Sequence, residues 1–294
     1  MITNVMIISV HIEVVIMGLL QTIHPSLEEL DYTQPTVQAA VIGGTILFFL
    51  VFQLLTRLVS SRTEVYRRLD TAGDKVGWVR AILGMFFGTV STVAGVWTIF
   101  WDDSVKTDIA MATTPTGRFA LLFSVGFSIF ELMQLATMSL TRRVFYPIVF
   151  LHHTWLTALL TQVMWCDRLQ YLTVAGLAME IILPCDRISW LLLKAGMRNT
   201  RVWEWNQLFL IHTFSLRNMV ECYMWFHTYR NWRRIWSVTP LHLLCLVYGG
   251  LVLTTFWMTP FWWIESIRRY SVTFNARRQM NLRAKNNVSD EKTQ

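Results

Sequence analysis

The sequence has few charged residues: they make up 15% of its 294 residues, whereas a soluble domain carries about 25%. No lysine or arginine precedes Arg57, so we expect neither a secretory signal peptide nor a mitochondrial presequence. The four cysteines show no CxxC spacing, which argues against a disulfide framework or a zinc site. The chain also lacks an internal repeat and a soluble domain. What is present is apolar, since 53% of the residues are hydrophobic.

Seven apolar segments are each long enough to cross a bilayer as a helix, which takes about 20 residues. They are Val37–Leu58, Gly77–Trp101, Phe119–Leu140, Val144–Trp165, Leu169–Leu193, Trp203–Phe226 and Pro240–Ile264. We therefore predict an all-α polytopic membrane protein with about seven transmembrane helices. A shorter apolar stretch, Val5–Leu20, predicts a further span, an interfacial helix or part of an uncleaved anchor.

The basic residues predict the orientation of the chain. By the positive-inside rule, the loop 59–76, the turn 142–143 and the loop 194–201 face the cytosol, and the acidic loop 102–108 faces the other side. The arginines of 230–234 disagree, so either the rule fails there or one segment is re-entrant. The net charge of +7 indicates topology or contact with anionic lipid, and we expect no nucleic-acid partner.

Four of the segments carry polar residues at the spacing that places side chains on one face of a helix. The stripes are Ser124, Ser128, Glu131 and Gln134; His153, Thr157 and Thr161; Thr173, Gly176, Glu180, Pro184 and Arg187; and Asn206, Thr213, Arg217 and Glu221, with His212 beside the last. A charged residue at the centre of a span costs roughly 2.5–3.5 kcal/mol on insertion scales. The stripes are therefore expected to face inward, around a polar cavity.

Two adjacent histidines, His152 and His153, lie in the middle of the fourth segment. Ionisable residues inside a span are candidates for function, although two buried, hydrogen-bonded imidazoles are the structural alternative. Consecutive residues are about 100° apart around a helix, so the two rings cannot point the same way. For Arg217 and Glu221 the alternative is a mutual ion pair, and for Glu131 it is a protonated, hydrogen-bonded acid.

Small residues and a proline predict two features of helix packing. Pro184 has no N–H, so the carbonyl of Glu180 loses its helical partner and needs compensation from neighbours or from a cavity. In the second segment, small residues recur four positions apart and favour close contact with another helix. These pairs are Gly84 with Gly88 and Ser91 with Gly95.

Motifs in four consecutive segments resemble those of the TRAM–LAG–CLN8 (TLC) domain superfamily. They are Leu122–Leu132, similar to a Gly-Tyr-x-x-x-Asp-Leu span; Phe150–His153, similar to the His-His span; Glu180 with Pro184 and Trp190; and Arg217 preceded by Phe209 and Phe214. The resemblance implies a six-helix barrel that encloses a polar lipid cavity. It divides the chain into an N-terminal apolar or interfacial segment (1–36), an extra first helix with a basic loop (37–65), the barrel (66–269) and a basic polar tail (270–294).

The resemblance also implies a substrate class, because ceramide synthases of this superfamily transfer fatty acyl groups from acyl-CoA to a sphingoid amine. Their motif continues to a His-Asp pair, where this chain has Met179 and Glu180. The chain therefore resembles the CLN8-like or TLC-domain-containing branch. We expect it to bind or process a lipid in the membrane, by default that of the endoplasmic reticulum, with the mitochondrial inner membrane as the alternative.

Two functions follow from this resemblance. In the first, the protein is an acyltransferase-like enzyme with acyl-CoA as co-substrate and no other cofactor or metal. Its base is His153, oriented by Glu180, with His152 as partner or replacement. In the second, it is a non-catalytic lipid-binding accessory or structural subunit of a larger membrane complex, with other membrane-protein subunits as partners. In both, the expected lipid-binding residues are Glu131, Arg187, His212, Arg217 and Glu221.

Overall fold

The computed structural model describes residues 29–274 except 144, 199 and 273. The helices are α1 (Pro35–Ser61), α2 (Glu64–Arg67), α3 (Ala72–Phe100), α4 (Pro115–Arg142), α5 (Pro147–Cys166), α6 (Gln170–Gly176), α7 (Ile182–Lys194), α8 (Arg201–Val238) and α9 (Leu241–Leu253). Short 3₁₀ helices cover Ser104–Lys106 and Leu177–Ile181. No strand occurs in these ranges, which confirms the all-α prediction. The stretch Val5–Leu20 and most of the tail lie outside the described residues.

Within the described residues, four helical stretches are long and apolar enough to cross a membrane. They are Pro35–Ser61, Ala72–Phe100, Pro115–Thr141 and Leu241–Val272. The other three predicted segments also form helices, namely α5, α6 with α7, and α8. α8 contains 38 residues and is therefore about 57 Å long, more than the bilayer core requires. The polytopic fold is confirmed, and seven crossings stay a prediction.

Threonine side chains fix where three of the long helices begin. The hydroxyl groups of Thr71, Thr114 and Thr200 accept hydrogen bonds from backbone N–H groups three residues further on, at 3.0, 3.2 and 3.3 Å. Such caps satisfy donors that the first helical turn leaves free. Proline stands in the first turn of α1, α4 and α5, where a missing N–H costs nothing.

Helix α1 packs on the outside of the bundle, against α3 and α4. Its fully buried Phe49 contacts the rings of Phe86 from α3 and Phe127 from α4. The side-chain amides of Gln53 and Gln134 bond to each other in both directions, at 2.9 and 3.2 Å. The inward placement expected for Gln134 is therefore wrong, because its amide finds a partner on α1.

The remaining helices form a ring around a common interior. α3 contacts α4 and α7, α4 contacts α5, α5 contacts α9, and α7 contacts α8. Side chains join α8 to the last helix: Trp225 donates to Thr255 at 3.2 Å, and Thr259 donates to Glu221 at 2.7 Å. This arrangement fits the six-helix barrel that the family resemblance implies, with α1 as the extra helix.

Two helices depart from regular α geometry, each just before a proline. Between α6 and α7 the chain is a 3₁₀ helix, Leu177–Ile181, and Pro184 follows one turn later. After α9 the chain forms a π-helical turn, Thr254–Met258, and then continues as α-helix from Thr259, with Pro260 as its second residue. Proline cannot donate to the carbonyl four residues before it, so the preceding turn adopts another hydrogen-bond pattern.

The small residues of α3 lie directly against the 3₁₀ helix Leu177–Ile181 and the start of α7. A β-carbon at Gly95 would lie 2.2 Å from the backbone nitrogen of Ala178, and one at Gly88 would lie 3.2 Å from the carbonyl oxygen of Glu180. A β-carbon at Gly84 would lie 3.2 Å from Nε of Arg187. The predicted close helix contact is confirmed, and its partner is α6–α7.

Arg234, one of the arginines of 230–234 that disagree with the positive-inside rule, lies beside the acidic loop 102–108. Nη2 of Arg234 is 2.8 Å from the carboxylate of Asp108, so the end of α8 and the loop 102–108 share one end of the bundle. Burial raises the pKa of Asp108, but this ion pair and backbone N–H groups of Ala110 and Met111 outweigh it and lower the pKa overall. An acid thus compensates the base at this end of the bundle, and the two explanations of these arginines, a local failure of the positive-inside rule and a re-entrant segment, stay predictions.

Candidate functional site

A cavity of about 740 Å³ lies in the interior of the barrel. Its outer rim includes Thr71 and Asp74 at the start of α3, Tyr146 before α5, and Lys194 at the end of α7. These residues lie at the end of the bundle that carries the basic loops. The opposite end is filled by a hydrophobic cluster that includes Leu121 and Leu172. The cavity is therefore accessible from the predicted cytosolic side.

Six of the eight residues expected in the site line this cavity. They are Glu131 from α4, His152 and His153 from α5, Glu180 from the 3₁₀ turn, Arg187 from α7 and Arg217 from α8. Each comes from one of the four polar stripes, or from beside one in the case of His152. The predicted convergence of imidazole, acid and guanidinium groups is present in the fold.

Glu131 is held by an arginine that the sequence interpretation did not assign. Nη2 of Arg80 lies 2.6 Å from the carboxylate of Glu131, and both residues line the cavity. Glu131 is 4% exposed, so the ion pair is largely removed from solvent. Arg80 is the single charged residue between Gly77 and Trp101, and that isolation in an apolar segment was a usable signal.

The two imidazole rings point in different directions. Their ring centroids are 5.2 Å apart with the planes at 73°, and His153 also meets Phe127 edge-on at 6.2 Å. Glu131 and Glu180 line the same cavity as the two rings. The expected orientation of His153 by Glu180 stays a prediction. The 100° turn between adjacent residues points the two rings in different directions.

Arg217 is fixed by a buried network. Its Nε donates to Glu221 at 3.1 Å, and the hydroxyl of Thr259 donates to the same carboxylate oxygen at 2.7 Å. Its Nη1 reaches the carbonyl of Met179 at 3.5 Å, within the 3₁₀ turn. The mutual pairing considered from the sequence is therefore present, and the guanidinium also lines the cavity.

Two expected lipid-binding residues do not line the cavity. Glu221 is 1% exposed and lies behind Arg217, whose position it fixes. His212 is exposed on the outer surface of α8. It was placed beside its stripe in the sequence, and the rotation of α8 turns it away from the interior.

The rim carries a lysine and an aspartate that the sequence interpretation did not assign. Nζ of Lys194 lies 2.6 Å from the carboxylate of Asp74 and 5.6 Å from the ring centroid of Trp190. Arg187 and Asp186 are only loosely paired, at 3.9 Å. Asp74 and Lys194 lie outside or at the ends of the apolar segments, so only the packing of α3 on α7 reveals that they meet.

Apolar side chains complete the walls. They include Phe87, Leu135, Met138, Leu156, Phe214, Met258 and Trp262. Among the residues that the structure describes, no three His, Cys, Asp or Glu side chains are grouped to hold a metal ion. The arrangement is thus amphipathic, with charged groups and imidazoles beside aliphatic and aromatic surface. Such a cavity can hold a molecule that has both a polar and an apolar part.

Comparison with known proteins identifies relatives of this chain. It is 32% identical to protein CLN8 of Homo sapiens over 241 residues, which are 81% of this chain and 83% of the human protein. The CLN8 proteins of Canis lupus familiaris and Mus musculus are each 30% identical over 239 residues, with the same coverage. No protein-family model and no solved structure matches the chain. The chain is an integral membrane protein that belongs to the CLN8 family, in the TLC-domain superfamily.

Proposed function

We propose that this protein binds a membrane lipid in the cavity, with the headgroup among the polar residues. The observation that carries the proposal is the convergence of Glu131, His152, His153, Glu180, Arg187 and Arg217 on one cavity of about 740 Å³. Ligand pockets commonly measure about 300–1,000 Å³. Charged groups within a membrane protein need partners, and a lipid headgroup supplies them.

The lipid headgroup, rather than the acyl chains, determines the affinity and selectivity of this binding. The acyl chains of a membrane lipid already lie in an apolar medium, so transferring them to an apolar cavity wall gains little. Polar contacts made in a partly desolvated cavity are stronger than the same contacts in water. Selectivity among lipids therefore depends on charge and hydrogen bonding at the six residues, and the apolar walls accommodate the chains.

Acyl transfer is the specific reaction that the histidines favour. An imidazole nitrogen removes the proton from a hydroxyl or amine nucleophile as it attacks the thioester carbonyl of acyl-CoA. The carbon–sulfur bond then breaks, and the thiolate takes up the proton. Nδ1 of His153 is buried and has no hydrogen-bond partner among the described residues, so it is free to accept or donate.

The test uses the purified protein with its native lipid. Bound lipid is quantified by mass spectrometry, and acyl-CoA turnover is measured for the wild type and for a double variant, His152→Ala with His153→Ala. His242→Ala, an exposed histidine on α9, is the matched control. We expect lipid at one molecule per protein, and turnover that the double variant loses while the control retains it.

Two other results would change the assignment. Stoichiometric lipid without turnover from any acyl donor would exclude catalysis and leave a lipid-binding protein. Absence of bound lipid, with no binding of added lipids, would overturn the proposal itself.

The second candidate is a non-catalytic accessory subunit. It is favoured by the absence of the ceramide synthase His-Asp pair, since Met179 replaces that histidine. The protein would then migrate in a large native membrane complex together with other subunits. Native gel electrophoresis after mild solubilisation tests this. Migration as a lone chain with lipid bound would contradict it.

We assign the protein to the endoplasmic reticulum, on the family resemblance alone. Subcellular fractionation of the tagged full chain tests this location. Co-purification with inner mitochondrial membranes would support the alternative.

A further inference from the structure

We infer that Arg80, Arg187 and His153 form a binding subsite for a phosphate group inside the cavity. This rests on the proposed lipid-binding function and adds the chemical class of the headgroup. All three side chains line the cavity, and they come from three different helices, α3, α7 and α5.

The two guanidinium groups of this subsite lie on the same part of the cavity wall. Gly84 follows Arg80 by one helical turn, on the same face of α3, and a β-carbon at Gly84 would lie 3.2 Å from Nε of Arg187. The side chain of Arg187 therefore packs against α3 one helical turn away from Arg80, on the same wall of the cavity. The ring of His153 lines the same cavity. Gly84 leaves the space that the Arg187 side chain occupies.

Each of these side chains has a nitrogen without a partner. Nε of Arg80, Nε of Arg187 and Nδ1 of His153 are all buried, and none makes a hydrogen bond to a described residue. A buried donor without an acceptor costs about 1–3 kcal/mol, so such groups are normally satisfied. Two of these nitrogens belong to guanidinium groups on one cavity wall, and the side chain of Arg187 is 42% exposed, which favours an acceptor that enters from the cavity.

The two arginines of this wall are paired unequally. Glu131 pairs with Arg80 at 2.6 Å, whereas the ion pair that the described residues give Arg187 is with Asp186 at 3.9 Å, and both of those side chains are partly exposed. A positive charge in a partly desolvated cavity is unfavourable unless an anion pairs with it. An anionic ligand group would pair with Arg187 more closely than Asp186 does.

The geometry favours phosphate over carboxylate. A single arginine fork suffices for a planar carboxylate, which it binds in bidentate fashion. Here donors approach from three helices, which suits the tetrahedral oxygens of a phosphate. The phosphate can belong to a phospholipid headgroup or to a soluble phosphorylated compound entering from the rim.

The experiment measures binding to the delipidated full chain by native mass spectrometry. The probes are dioleoylphosphatidic acid, dioleoylglycerol, oleate and glycerol 3-phosphate. We expect dioleoylphosphatidic acid to bind at least about tenfold more tightly than dioleoylglycerol, which has the same chains but no phosphate. Arg187→Gln should remove most of this preference without changing the binding of dioleoylglycerol. Arg67→Gln, an exposed arginine on α2, is the matched control and should retain the preference.

The outcomes separate this inference from the proposed function. Tight binding of glycerol 3-phosphate, lost in Arg187→Gln, would support the subsite and indicate a soluble ligand. Equal binding of dioleoylglycerol and dioleoylphosphatidic acid would overturn the subsite while leaving lipid binding intact, and tighter binding of oleate would make it a carboxylate site. Binding of none of the probes would overturn both. Because Arg80→Gln leaves Glu131 unpaired, a double variant, Arg80→Gln with Glu131→Gln, serves as the second test.

Discussion

The two ends of the bundle differ in how completely their charged residues are paired. At the acidic end, Arg118 pairs with Asp167 at 2.6 Å and Arg234 with Asp108 at 2.8 Å, above a continuous apolar core. At the basic end, the charged residues surround a cavity, and several of their nitrogens have no partner among the described residues. The pairs at the first end hold loops to helices. The incomplete pairing at the second end leaves capacity for a ligand.

The largest effect on stability is expected at the buried ion pair of the cavity, between Arg80 and Glu131. Arg80→Ala leaves the carboxylate of Glu131 without its partner in a largely buried position, and should lower the free energy of unfolding by about 3–5 kcal/mol. Replacing both residues by leucine removes the unpaired charge and should cost much less. Thermal unfolding in detergent measures both variants. A double variant less stable than Arg80→Ala would contradict the account.

The next largest effect on stability is expected where α3 packs against the 3₁₀ helix Leu177–Ile181. Gly95→Val forces side-chain atoms into the backbone of Ala178 and should destabilise the protein by about 1–3 kcal/mol or more. Gly44→Ala on α1 is the control, because a β-carbon there meets nothing within 4 Å. The control should be neutral or slightly stabilising, since alanine favours helix. The measurement is the melting temperature of each variant in detergent. Equal melting temperatures for the two variants would rule out close packing at Gly95.

The smallest effect is expected at the acidic end. The side chain of Arg234 is 54% exposed, so Arg234→Gln should cost only about 0–1 kcal/mol. The pKa of Asp108 is lowered in the folded state, so its contribution is present above the unfolded pKa and is lost as the pH falls through the folded value. The variant should therefore match the wild type at acidic pH and differ slightly at neutral pH. An equal difference at both pH values would exclude this ion pair as the cause.

The sequence predicted most of the fold because hydrophobic length and polar stripes are properties of single helices. All seven apolar segments became helices, and the stripes led to six residues of the cavity wall. What it did not predict depends on how helices are rotated and paired. Gln134 turned toward α1, His212 turned outward, and Arg80 came to pair with Glu131. The rim pair of Asp74 and Lys194 joins residues far apart in the chain.

The π-helical turn Thr254–Met258 has a consequence for the last helix. Such a turn amounts to one inserted residue, and one residue rotates everything after it by about 100°. With that rotation, Met258, Trp262 and Arg269 line the cavity, and Thr259 meets Glu221. Deleting a single residue here would keep the helix but swing its far half toward the surrounding lipid. The C-terminal wall of the chamber is thus set by a local phase shift, which a count of hydrophobic residues does not reveal.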